Sequence, residues 1–210
     1  MNIAPRIWAL VLAGIVGLGV IGWLGYNDHQ DKYRAAQARL ASADAAQRYA
    51  ITRAPRGVAP GEWAGFGEAL LVEAAQANID YRLVMAIIQK ESEWNPRAVS
   101  GACAVGLMQV RPTTAADVVK RHNLKNYTPP TPTTRGKCFG RLGSLGQPVW
   151  SIIIGIRYLH EQVQQFGMGP VPLRSYNRGP SSALAKWHGD RYAEDVALHY
   201  LTLAHTMQQR

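Results

Sequence analysis

Cysteine is scarce in this sequence: Cys103 and Cys138 are the two in 210 residues, and neither stands at a Cys/His spacing that would hold zinc. A Gly-rich phosphate loop is missing, and so is the Gly-x-Ser-x-Gly elbow that presents a nucleophilic serine. The sequence therefore implies no cofactor and no metal. Runs of alternating β-branched residues are also missing, which argues against a sheet-based domain. Basic residues never gather into a tract interleaved with aromatics, so nucleic acid is not an expected partner despite a formal net charge of +9. Internal repeats are absent, and the one compositional bias is toward Ala.

What is present suits one folded domain with an appendage. Hydrophobic residues make up 47% and charged residues 18% of the chain, which does not suit a disordered polymer. The positive balance favours an anionic partner such as acidic lipid or the bacterial wall. Residues 7–26 read IWALVLAGIVGLGVIGWLGY without a charge, long enough at ~1.5 Å per residue to cross a ~30 Å hydrocarbon core. Trp8, Trp23 and Tyr26 stand near its ends, where aromatic rings prefer the headgroup level. We expect an uncleaved anchor over residues 1–27, with a cleaved signal peptide as the alternative. Arg6 on one side and Lys32, Arg34 and Arg39 on the other leave its orientation open by charge. Ala-rich residues 31–51 read as a helical stalk, and residues 53–61 hold two prolines and two glycines, a linker composition. The expected division is an anchor over 1–27, a stalk and linker over 28–61, and a catalytic domain over 62–206.

Within that domain, helical periodicity recurs over 65–78, 81–92, 112–121, 148–166, 181–188 and 190–207, so the expected class is all-α. Residues 123–147, rich in Pro, Thr, Gly and basic side chains, read as a long irregular loop. The chemistry concentrates on the helix over 81–92, which Asp80 caps and Asn95-Pro96 ends. At about 100° per residue, Val84, Ile87, Ile88 and Glu91 share one stripe. A carboxyl on an apolar face loses solvation for its charged form, and its pKa rises toward the range a general acid needs. Glu93, roughly 200° further round, is expected to face away.

Three blocks extend this pattern: Glu91-Ser92-Glu93-Trp94-Asn95-Pro96-Arg97-Ala98-Val99-Ser100, then Gly106-Leu107-Met108-Gln109-Val110-Arg111-Pro112-Thr113-Thr114-Ala115, then Ser175-Tyr176-Asn177-Arg178-Gly179-Pro180. In that order and spacing the chain resembles lytic transglycosylases of the soluble-lytic-transglycosylase (SLT) catalytic-domain type, with a lysozyme-like fold. The resemblance runs from about Trp63 to about Leu203 and includes the segments around Gly155 to Leu159 and Tyr192 to Tyr200. It implies that Glu91 is the catalytic acid/base. It places Ser100 at the substrate's N-acetyl group, makes Met108 and Gln109 cleft-lining residues, and sets Tyr176 and Asn177 facing Glu91. Gln109 would offer both a donor and an acceptor. Arg178 departs from the pattern, where Ala is usual, and Ser181 replaces a frequent second Gly.

The implied reaction is non-hydrolytic cleavage of peptidoglycan between N-acetylmuramic acid and N-acetylglucosamine, leaving a 1,6-anhydro end. An ordinary glycosidase needs a second carboxylate. Asp80, Asp117 and Glu161 are the candidates that keep a goose-type hydrolase open as an alternative, and a non-catalytic wall-binding scaffold is a further one. With the uncharged run over 7–26 as anchor, the expected protein is single-pass in the inner membrane with its domain in the periplasm, and the resemblance implies wall turnover or local opening for a secretion or conjugation machine whose proteins would be partners. Cys103 and Cys138 bracket the long loop and would pair as a disulfide in an oxidising compartment, with two free thiols as the alternative. His122, His160, His188 and His199 stand in separate segments and read as surface or core residues.

Overall fold

Val84 to Ile88, five consecutive residues of the helix Tyr81–Ser92, are all 0% exposed. At about 100° per residue such a run goes right round the helix, so this element is sheathed on every side. A computed structural model describes residues 4–131, 138–182 and 191–208, with side chains from Asn27 onward except Ser182 and Gln208. In chain order the helices are α1 (Ala4–Arg53), α2 (Phe66–Gln76), α3 (Tyr81–Ser92), α4 (Pro112–Arg121), α5 (Pro148–Phe166), α6 (Pro170–Arg178) and α7 (Arg191–Gln208). Short 3-10 turns at Pro60–Trp63, Gly143–Gly146 and Pro180–Ser182 link them. Isolated bridges, Val99 to Val105, Val105 to Val110 and Thr131 to Arg141, are the β-structure among the described residues. The expected all-α class holds.

The chain divides into two compact units, residues 1–42 and 43–210. In the first, the side chains of residues 27–42 on α1 are mostly exposed, with a Lys32–Asp28 pair at 2.7 Å one turn apart. In the second, α3 packs mainly against α7, α2 against α5, and α5 against α6. Residues 43–53, expected as the end of a stalk, bury Ala46 and Ala50 completely in this core. Gly67 of α2 lies so close to the Ala43 backbone that a side chain there would overlap its carbonyl oxygen at 1.9 Å. An aromatic cluster joins the same region: Tyr49 meets Trp94 edge-on at 5.4 Å, and Trp63 meets Phe66 at 5.1 Å.

Proline opens α4, α5 and α6 at the first turn, where its missing N–H costs nothing and its fixed φ suits the helix. The helix α6 is absent from the sequence reading, because Pro170, Pro172 and a Gly-Pro exit look like loop signals. Residues 183–188 of the helix expected over 181–188, and His188 with them, lie outside the described residues. No helix among the described residues is long and apolar enough to cross a membrane. The apolar run expected as an anchor, residues 7–26, has its side chains outside that set.

The loop over 123–147 is folded back on itself at its base. Thr131 N–H donates to Arg141 O at 2.9 Å, and Ser144 N–H donates to Thr128 O at 2.8 Å. Cys103 and Cys138 form a disulfide with Cα atoms 5.3 Å apart, which ties this loop to the turn after α3. The bridge closes 35 residues. A cross-link of that length restricts the unfolded chain by about 3–4 kcal/mol. Denaturant unfolding with and without a reductant should show a loss of that order; coincident curves would mean that the bridge contributes no stability.

Candidate active site

Glu91 stands in the last turn of α3, and the sheathing of that helix fixes where its carboxylate goes. Two cavities meet at it. One, about 410 Å³, is lined by Glu91, Ser100, Gln109, Arg111, Tyr158 and Tyr176, with Asn177 and Arg178 at its edge. The other, about 430 Å³, has Glu91, Ser100 and Gln109 again, together with Lys90, Glu93 and Val99. Three residues shared by both make a trough that runs past the carboxylate on either side, a shape that suits an extended polymer.

The wall opposite α3 is a turn-rich segment under backbone strain. Glu93, Trp94, Cys103 and Gln109 have φ of +49°, +67°, +61° and +47°, left-handed values that side chains other than Gly adopt at a cost. Several contacts impose them. Ser92 Oγ donates to Leu107 O at 2.9 Å. The Arg97 guanidinium holds both Glu62 carboxylate oxygens, at 2.9 and 2.8 Å, and Trp94 Nε1 donates to Gln89 Oε1 at 2.9 Å. Gly106 (φ +81°) leaves no room for a side chain, which would meet Leu145 O at 2.0 Å. Met108 is 0% exposed and fills the hollow under Gly155.

Burial pushes the Glu91 carboxyl above its ordinary value, partly offset by hydrogen bonds from Tyr192 and Asn177 and by the nearby Lys90 charge. Tyr192 Oη donates to Glu91 Oε1 at 2.7 Å. Lys90 pairs with Asp195 of α7 at 2.6 Å. Tyr176 is buried beside Glu91 and Tyr158, and burial first, then those two neighbours, raises its hydroxyl far above the usual range. It stays protonated and donates to Met108 O at 2.7 Å, locking α6 onto the Gly106–Gln109 turn. The site can thus hold a protonated carboxyl at the centre of a polar trough, with Tyr192 ready to stabilise the anion when the proton leaves.

Most residues named from sequence converge here: Glu91, Ser100, Gln109, Tyr176 and Asn177 all line the 410 Å³ cavity. Met108 does not, and its expected place on the cleft surface is corrected. Its side chain points into the core, while its carbonyl oxygen anchors Tyr176. Gln109 is narrowed, since Nε2 donates to Ala98 O and Gly106 O, leaving Oε1 as the group it can offer a ligand. Ser100 Oγ accepts from Ala104 N–H at 3.1 Å, which leaves its own proton to donate. Glu93 is also corrected: the helix ends before it, its left-handed backbone redirects it, and it joins the rim of the 430 Å³ cavity.

The three carboxylates considered as partners lie elsewhere. Asp80 caps α3 at the far end, held by Arg82 and Tyr200, about 16 Å along the axis. Glu161 pairs with Arg121 and His122, and Asp117 is exposed on α4. Sequence reasoning missed Tyr192, Tyr158 and Arg111 as site residues. No periodicity marks them: helix packing brings Tyr158 and Tyr192 to the site from α5 and α7, and Arg111 enters it two residues after Gln109.

Residues 68–199 match the transglycosylase SLT domain. The chain belongs to that family. Over 114 residues it is 35% identical to the soluble lytic murein transglycosylase of Salmonella typhimurium, covering 54% of this chain and 16% of the relative. Over 159 residues it is 33% identical to membrane-bound lytic murein transglycosylase C of Haemophilus influenzae, covering 67% of this chain and 41% of that one. The chain thus spans well under half the length of these curated relatives. A solved structure, an inactive mutant of the lytic transglycosylase Slt from Pseudomonas aeruginosa, superposes with a TM-score of 0.53 at 22% identity, covering 67% of this chain and 24% of that one. The SLT fold is therefore the lysozyme-like one expected.

In this SLT domain the Tyr192 hydrogen bond favours the charged Glu91. The Tyr192→Phe variant should move the basic limb of an activity–pH profile upward, because a general acid is lost as pH rises through its pKa, and an unmoved limb would disprove the coupling. Because burial raises the Glu91 pKa in the folded state, its charge destabilises the fold above that pKa, and the effect vanishes below the unfolded value near ~4.3. Glu91→Gln should accordingly unfold at higher denaturant than the parent at pH 7, with the gap closing by about pH 4; a gap that persists at low pH would contradict this.

Proposed function

We propose that the chain is a peptidoglycan lytic transglycosylase in which Glu91 serves alone as acid and then base. The observation that carries this is the half-buried carboxyl at the junction of the two cavities, raised in pKa, with no second carboxylate lining the 410 Å³ arm among the described residues. In the first step Glu91 donates its proton to the glycosidic oxygen, and the bond from that oxygen to C1 of N-acetylmuramic acid breaks. The substrate's acetamido oxygen closes on C1 as the leaving sugar departs, so no protein nucleophile is required. Glu91, now a carboxylate steadied by Tyr192 and Asn177, takes the proton from the C6 hydroxyl of the same sugar. That oxygen attacks C1 and releases the acetamido group, giving the 1,6-anhydro product and restoring the acid. Water is not consumed.

Ser100 and Gln109, shared by both arms, offer a donor proton and an acceptor oxygen beside the reacting sugar. The membrane reading rests on residues 7–26, whose uncharged length suits a single span, with residues 28–42 as the spacer and the SLT domain on the periplasmic side where its substrate lies. Wall turnover and local opening for an envelope machine are both compatible with a tethered enzyme of this kind.

The test uses the full chain, because residues 43–53 contribute to the domain core. Digestion of purified peptidoglycan should release anhydro-ended muropeptides, seen by mass spectrometry, and Glu91→Gln should lower the rate at least ~10²–10⁴-fold. Reducing-end products instead would make the protein a hydrolase and direct attention to Glu93. Full activity in the variant would remove Glu91 from the reaction.

A further inference from the structure

The 410 Å³ arm carries two charged side chains besides Glu91, and both are cationic: Arg111 and Arg178, each exposed. Among the described residues neither has an ion-pair partner. The other arm is different, since its charged groups are Glu91, Glu93 and a Lys90 already paired with Asp195. The trough is therefore positive on one side of the catalytic carboxyl and negative on the other.

Both guanidiniums spring from backbone that is fixed. Arg111 is extended (φ −69°, ψ 141°) directly before Pro112 opens α4. Arg178 ends α6, where Gly179 (φ +87°) and Pro180 stop the helix. Arg111 reaches the wall of the arm electrostatically: burial and Glu161 raise the Tyr158 hydroxyl, and Arg121 and Arg111 partly offset them. The hydroxyls and acetamides of a neutral glycan gain little from such a pair, whereas a planar carboxylate matches it.

We propose that Arg111 and Arg178 bind a carboxylate carried on the side substituent of a muramyl sugar, so that acidic strands are selected over neutral glycans. This rests on the glycan-strand reading of the cleft. Two sources share that chemistry, the free lactyl carboxylate of a stripped sugar and the carboxylates of an attached peptide.

The test compares the full chain with Arg111→Ala/Arg178→Ala on peptide-bearing strands and on strands stripped by an amidase. Neutral chitooligosaccharide is titrated in a Glu91→Gln background. The double variant should raise KM on acidic strands about fivefold with kcat little changed. Added salt should raise the parent's KM more steeply than the variant's. Chitooligosaccharide affinity should be the same with and without the arginines, and the double Lys variant should recover part of the loss. An effect confined to peptide-bearing strands would assign the peptide carboxylate, and an equal effect on stripped strands the lactyl group. An unchanged KM and salt slope, or an equal loss on the neutral sugar, would overturn the proposal while leaving the lyase standing. A parent that released no muropeptides would overturn both.

Discussion

Complete burial of the middle of α3, Val84 to Ile88, is the constraint from which the site follows. A helix enclosed on every side has no freedom to rotate or slide, and Val84 to Ile88 leave it no solvent face in its middle turns. Its carboxyl-terminal turn reaches the cleft, where Glu91 lines both cavities. Packing thereby holds the Glu91 carboxyl in place and withholds water from one side, and the lost solvation raises its pKa.

The strained turns after α3 are the second half of the same arrangement. Left-handed backbone at Glu93, Trp94, Cys103 and Gln109 persists because ion pairs, buried aromatics and the disulfide over-determine it. Met108 shows how this works. Its side chain is driven into the core beneath Gly155, and as a result its neighbour Gln109 is turned outward to the trough while its carbonyl holds Tyr176. A residue buried in the core thus places two that line the cavity.

Charge distribution adds a direction to this geometry. Arg111 and Arg178 on one arm and Glu93 on the other make the two directions along the trough distinguishable by charge. The charges that give the trough its polarity stand on a few exposed side chains at helix ends, separate from the half-buried Glu91 carboxyl.

How much was legible in the sequence depends on whether the cause is local. The helices at 81–92, 112–121 and 148–166 follow from apolar periodicity with Asp80, Pro112 and Pro148 at their starts, since capping and φ restriction act within a few residues. Glu91, Ser100, Gln109, Tyr176 and Asn177 were found because three motifs stand in a fixed order. Local signals failed where tertiary contacts overrode them: α6 forms despite its prolines, residues 43–53 join the core although they are mostly Ala, and Met108 turns inward. Periodicity can tell which face of a helix is apolar, and so the sequence by itself determined an all-helical domain with one carboxylate on an apolar stripe. Which distant groups meet that carboxylate was decided by the tertiary structure alone, because the bond from Tyr192 spans 101 residues and depends on α7 docking against α3.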